Sequence, residues 1–213
     1  MGGQTEYAFH FMKEKIISGT FKPSQKLTEI ELAKMVGVSR NTIKKALMML
    51  ERENLVEVKS NKGAIIKSFS FEEIINYLEI REVLEGLVAR SAARNIGDGD
   101  IEKLEEFLRE MKTQLQEHRF DEYSRLNREF HNVIYSASKN TEAVAMIYTI
   151  KTQLNQLHYR TILVPGRTRD SYEEHERILE AIKAGKEKAA EDAIKEHVAN
   201  VRRTIVENYF ILA

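Results

Sequence analysis

The sequence predicts a mainly α protein in two parts. Residues 1–70 form an N-terminal winged helix-turn-helix with a small β-hairpin wing, and residues 71–213 an all-α antiparallel helical bundle. Three observations carry this expectation. Residues 27–67, LTEIELAKMVGVSRNTIKKALMMLERENLVEVKSNKGAIIK, read as helix, tight turn, helix and two-stranded hairpin. Beyond Phe69-Ser70-Phe71, helix formers run in long periodic stretches that only Pro165 interrupts. Charge divides the chain in the same place: residues 1–70 hold 12 Lys/Arg against 7 Asp/Glu, whereas the remainder holds 21 against 26. A neutral total of 33 against 33 thus conceals a basic front, the usual mark of a nucleic-acid-facing end.

In the front part, Ile30, Leu32, Ala33 and Val36 give a short amphipathic helix. It ends at Met35 or Val36, because Gly37 follows the last periodic position as a left-handed C-cap. Ser39 is a natural N-cap for a second helix, with Ile43, Ala46, Leu47, Leu50 and Met49 on its apolar face and Arg40, Asn41, Lys44 and Lys45 on its open one. Two helices joined by about three residues match the DNA-binding helix-turn-helix, whose second helix enters the major groove. Helix pairs of this kind also occur without DNA, and basic faces are often merely solvated. The hairpin behind it tips the reading toward DNA: Leu55, Val56 and Val58 precede Ser60-Asn61-Lys62-Gly63, Ala64, Ile65 and Ile66 follow, and Lys59, Lys62 and Lys67 make the wing basic. Met1-Gly2-Gly3 reads as an unstructured start, since Glu6 stands where myristoylation needs Ser or Thr.

In the back part, helices are expected near 72–95, 99–118, 120–138, 140–163, 169–185 and 187–210, with Ser70 leading into an acid-rich first turn and Gly185 as a C-cap. With no solenoid-period repeat, an antiparallel bundle is preferred. Apolar residues make up 42% of the chain, enough for real cores and against disorder. There is no Cys, which removes disulfides, thiolate metal sites and Cys nucleophiles and fits a reducing cytoplasm. No apolar run approaches the roughly 20 residues that span a bilayer.

Three of the six histidines are placed so that a bundle can gather them. Asn127 and His131 stand four apart on one helical face and can reach one ion; His175 opens the stretch HERILEAI; His197 has the apolar neighbours Val198 and Val201. A histidine on a core-facing stripe is commonly just a hydrogen-bonded core residue. Three of them with an amide oxygen nevertheless suit a divalent ion such as Zn or Ni with positions left open.

At this point the chain resembles the GntR family of bacterial transcription regulators, in the FadR/VanR-type branch with an FCD effector domain. The family motif L-A-x-x-x-x-V-S-R-T-P-V-R-E-A-L is met by Leu32-Ala33, Val38-Ser39-Arg40 and Ala46-Leu47. The R-x-x-L-E-x-x-A-A-like opening of the effector domain is met by Arg81, Leu84, Glu85 and Val88-Ala89, D-x-x-F-H by Asn127 to His131, and H-x-x-I-x-x-A-I with a closing E-H by His175 to Ile182 and Glu196-His197.

The resemblance implies a metal held by Asn127, His131, His175 and His197, with a small carboxylic acid completing its coordination. Asn127 departs from the usual Asp, so the site is less negative. Arg81 is implied as a fork for the effector carboxylate, with an ordinary helix salt bridge to Glu85 as the other reading. For DNA, the resemblance implies Ser39, Arg40, Asn41, Thr42, Lys44 and Lys45 on the reading helix and Lys62-Gly63 at the minor groove. Lys44 replaces the common Arg and so loses its bidentate fork.

The expected protein is a cytoplasmic homodimeric repressor of a palindromic double-stranded operator, responsive to a metal-anchored small carboxylic acid. Two-fold pairing follows physically, since one winged helix makes few base contacts. A metalloenzyme is the rival, because a three-histidine ion can activate water. It lacks a clear general base, with Glu129 pointing elsewhere and Glu174, Glu176 and Glu196 read as helix surface. A purely structural metal is the third reading. Tyr148, Tyr159 and Arg160 lie on a helix that can line the effector cavity.

Overall fold

The computed structural model describes residues 2–60 and 62–212, with backbone alone at residues 2, 155–160, 211 and 212. The chain divides into two compact units at Phe71/Glu72.

The first unit begins with a helix where the sequence suggested an unstructured start. Helix α1, Gly2–Ile17, buries Ala8, Phe9, Met12 and Ile16. These recur at roughly helical period, and the stripe overrides the poor helix propensity of Gly2 and Gly3. Its partner is α3, Arg40–Arg52, whose Ile43, Ala46, Leu47 and Leu50 are almost wholly inaccessible. Between them lies α2, Glu29–Val36, opened by a capping box in which Thr28 accepts from Glu31 N–H while the Glu31 carboxylate accepts from Thr28 N–H. It closes on Gly37 at φ 76°. Ile30, expected on the apolar face, is 64% exposed; Leu32 and Val36, with half-buried Ala33 beside them, carry α2 into the core.

The wing also has one strand more than expected. β1, Lys26–Leu27, pairs antiparallel with β3, Gly63–Ile66, which pairs antiparallel with β2, Val56–Lys59, giving the order β1-β3-β2. Two residues are too short to show the alternation from which strands are read in sequence. Asn61, counted in the hairpin turn, lies outside the described residues.

The second unit is helical throughout its described residues: α4, Phe71–Asn95; α5, Asp98–Gln116; α6, Phe120–Ala137; α7, Thr141–Thr161; α8, Arg167–Lys183; and α9, Glu187–Leu212. Helix α5 packs on α6 and α8, and α9 on α8 and α7. Their shared core includes Ala89, Leu104, Met111, Leu126, Phe130, Ile178, Ile182, Ala190 and Ile194. The α7 to α8 junction falls at Pro165-Gly166, and α8 ends where Gly185 takes φ 63°. No helix among the described residues is long and apolar enough to cross a membrane.

Candidate functional site

On the first unit, α3 presents Arg40, Asn41, Lys44 and Lys45 to solvent. Ser39 caps it, its Oγ accepting from Thr42 N–H at 3.1 Å and meeting Thr42 Oγ1 at 2.8 Å, so both hydroxyls also shape the helix start. Arg40 donates to Glu29 Oε2 at 3.2 Å across to α2. In the wing, Lys59 is offset by Glu57 and Lys67 is tethered by the neutral Asn54, while Lys62 stands exposed.

Gly63, expected to touch DNA, is buried instead. A Cβ there would lie 2.0 Å from the Leu27 carbonyl oxygen, and its φ is 102°. The sheet needs glycine at this point so that β1 can approach β3, and burial removes its backbone from any groove.

Inside the second unit, α6, α8 and α9 bring His131, His175 and His197 together, all three almost wholly buried. One ligand nitrogen from each falls within 4.8 Å of the others, and His131 Nε2 faces His175 Nε2 at 3.2 Å. On two of the rings the opposite nitrogen is occupied, while His131 Nδ1 makes no hydrogen bond among the described residues. His175 Nδ1 meets the Ser171 carbonyl oxygen and His197 Nδ1 lies 2.6 Å from Glu174 Oε2. A carbonyl or carboxylate accepts a hydrogen bond from a ring N–H, so in His175 and His197 the N–H sits on Nδ1 and the lone pair on Nε2. The His175 lone pair thus faces the His131 ring nitrogen at 3.2 Å, close enough for one cation to meet both rings.

Burial moves all three histidines below their ordinary range, His175 to about 3; neighbouring positive groups add to this at His131, whereas Glu174 opposes it at His197. Neutral imidazole is the ligating form, so this environment favours metal binding. Asn127, one turn before His131 on α6, keeps its Oδ1 buried without a hydrogen-bond partner among the described residues. The donor chemistry of three nitrogens and an amide oxygen fits a borderline divalent ion.

A cavity of about 80 Å³ adjoins the cluster, its lining including Asn127 and His197 together with the cations Arg81, Arg128, Lys151 and Arg167. Arg81 and Arg167 are buried, and burial pulls Lys151 down to about 8 despite the opposing charge of Glu85. Such a lining suits a small anion. Arg81 makes the helix salt bridge, its Nε donating to Glu85 Oε1 at 2.5 Å, while its Nη2 has no hydrogen-bond partner among the described residues. Tyr148 is absent from the lining and donates instead to Asn132 Oδ1 at 3.0 Å; the side chains of Tyr159 and Arg160 lie outside the described residues.

Glu174 corrects the sequence reading most sharply. Expected on the surface, it is 3% exposed and takes both nitrogens of Arg167, at 3.1 and 2.8 Å, together with His197 Nδ1 and the Asn200 amide. Burial alone would raise its carboxyl, but these donors hold it down at about 2. The missed signal was position, since Glu174 stands four residues before Ile178 and seven before Ala181, on the core stripe of α8. Glu176 and Glu196 are exposed, as expected.

Comparison with known proteins places these two units. Residues 5–66 match the family described as bacterial regulatory proteins, gntR family, and residues 76–200 match the FCD domain. The Uxu operon regulator of Haemophilus influenzae is 30% identical, covering 92% of this chain and 79% of its own length. The regulator LutR of Bacillus subtilis is 29% identical, covering 92% and 97%. Among solved structures, McbR/YncC of E. coli superposes with a TM-score of 0.80 over 97% of this chain and 98% of its own, at 22% identity, and so shares the fold.

Proposed function

The chain belongs to the GntR family, as a DNA-binding transcription regulator with an FCD domain, and from that premise we propose that it is a homodimeric repressor whose hold on a palindromic operator responds to a small carboxylic acid at a metal-binding site. Its relatives are regulators rather than enzymes. The observation that carries the ligand-sensing part is the histidine cluster with Nδ1 held by Ser171 and Glu174, which leaves ligating nitrogens aimed at one another beside a cationic cavity. Such outer hydrogen bonds are how proteins orient metal-binding imidazoles.

In this reading His131, His175, His197 and Asn127 hold Zn or Ni, which when bound supplies a Lewis-acidic anchor for a carboxylate. Arg81 and Lys151 orient the acid from the other wall. On the reading unit, Arg40, Asn41, Lys44 and Lys45 face bases and phosphates of the major groove, Ser39 and Thr42 set the helix start at the backbone, and Lys62 follows the minor groove. Work on operator DNA places the protein in the cytoplasm. An acid that binds one bundle geometry better than another shifts the population toward it and changes how two reading heads match two half-sites.

The test is DNA binding by the metal-loaded protein at physiological salt, using genomic fragments with and without candidate small carboxylic acids. A preferred fragment released by one acid, with release lost in His131→Ala, is the expected result. No preferred fragment in any condition would sink the repressor reading.

A further inference from the structure

We propose that ion binding and carboxylate binding at this site are coupled through two Arg–Glu–His relays, each raising the affinity for the other. The inference rests on the metal-and-acid reading above and deepens it by naming how the halves communicate. In the first relay, Arg81 lines the cavity and holds Glu85, whose Oε2 stands 3.6 Å from His131 Nδ1. In the second, Arg167 lines the cavity and holds both oxygens of Glu174, whose Oε2 stands 2.6 Å from His197 Nδ1. All six side chains are buried, so water screens their charges little.

Two features make the relays couple rather than merely brace. The first is charge. Three neutral imidazoles and the Asn127 amide contribute no negative charge, and the two glutamates are already matched by their arginines. A divalent ion therefore adds its full charge to a pocket also lined by Lys151 and Arg128. Uncompensated buried charge is costly, and an anion in the cavity removes that cost. An Asp at position 127 would have done part of this within the protein.

The second feature is that Glu174 is shared between an arginine and an imidazole, while Glu85, held by Arg81, has its Oε2 3.6 Å from His131 Nδ1. An anion that draws Arg81 or Arg167 toward the cavity leaves more carboxylate charge for the imidazole N–H, which makes the other ring nitrogen a better donor. Linkage requires the same factor in reverse: an ion on the histidines tightens their hold on Glu85 and Glu174 and frees the arginines for the anion. In the first relay, Arg81 Nη2, Glu85 Oε2 and His131 Nδ1 make no hydrogen bond within the described residues, so the arginine has a donor and the glutamate an acceptor to commit.

The test uses the full chain, stripped of metal and titrated with Zn²⁺ at free concentrations fixed by a competing chelator, with and without acetate. Acetate is expected to raise the Zn²⁺ affinity about tenfold, within the range of coupled sites. Asn127→Asp is expected to bind Zn²⁺ more tightly without acetate and to lose most of the acetate effect. Glu174→Gln, checked for helical content, is expected to lose part of it. Zn²⁺ binding that ignores acetate overturns the coupling and leaves the metal site standing, and so does an undiminished acetate effect in both variants. If Glu174→Gln does not fold, an unchanged ratio in Asn127→Asp overturns the charge argument by itself. Failure of Zn²⁺ to bind overturns the metal site and the coupling with it.

Discussion

Zn²⁺ added to the metal-stripped protein at pH 7.5 is expected to raise its melting temperature, and His131→Ala to abolish the rise. A ligand that binds only the folded state at one hundred times its Kd stabilises by about 2.7 kcal/mol. For a domain of this size, each kcal/mol moves the midpoint by about 2–4 °C, which gives roughly 5–11 °C. Acid should erode both the rise and the starting stability. All three buried histidines titrate below the ordinary imidazole value of 6.5 when folded, so below that value the unfolded chain takes up more protons. Stability from the neutral cluster is complete above about pH 6.5 and declines as pH falls toward the folded value of His175, about 3. Thermal melts by circular dichroism from pH 5 to 8, with metal and with chelator, read both effects. Equal melts with and without Zn²⁺, or an undiminished rise in His131→Ala, would refute the reasoning.

Three further outcomes separate contact from scaffold in the reading unit. Gly63→Ala is expected to destabilise this unit by about 4 kcal/mol or more, because its Cβ meets the Leu27 carbonyl at a φ of 102°; Lys62→Ala is expected to melt normally yet bind DNA less tightly. Arg40→Ala is expected to lose about 1–3 kcal/mol of discrimination at one base pair, whereas Lys44→Ala weakens all sequences alike and lowers the salt slope by about 1, both read from binding isotherms over a range of salt. Met12→Ala, in a fully buried position on α1, is expected to cost about 2–5 kcal/mol in chemical denaturation. A mutant as stable as the parent would show that α1 is not part of this core.

The helix-turn-helix was legible because its signals are local: Gly37 after a periodic run, Ser39 before the next, and apolar spacing at Ile43, Ala46, Leu47 and Leu50. Helix α1 went unread although the same spacing is present at Ala8, Met12 and Ile16, since two glycines at its start mimic a loose terminus. Strand β1 left no local signal at all; it exists because Gly63 lets Leu27 approach, a contact between residues 36 positions apart. The histidines could be named individually from helix position, but their meeting depends on how α6, α8 and α9 pack. Glu174 was misread for a general reason. A carboxylate is assumed to face water unless a partner is in view, and its partners Arg167, His197 and Asn200 come from other turns and another helix.

The basic excess of the first 70 residues marked the DNA-facing end but not which of its cations are committed to partners. Lys13 pairs with Glu53, Arg40 with Glu29 and Lys59 with Glu57. On the open side of α3 and the wing, Lys44, Lys45 and Lys62 stand exposed outside the ion pairs among the described residues. Nonspecific affinity rises with the number of phosphates neutralised, and three cations per head supply little of it. Arg40, already oriented by Glu29, is better placed to read a base than to add loose positive charge. A head of this kind gains tight binding chiefly by acting in pairs, when a second copy doubles both the phosphate count and the base contacts. In the proposed homodimer that requirement gives ligand control its leverage, because a change in the helical units that spoils the spacing of two weak heads removes most of the affinity without altering either head.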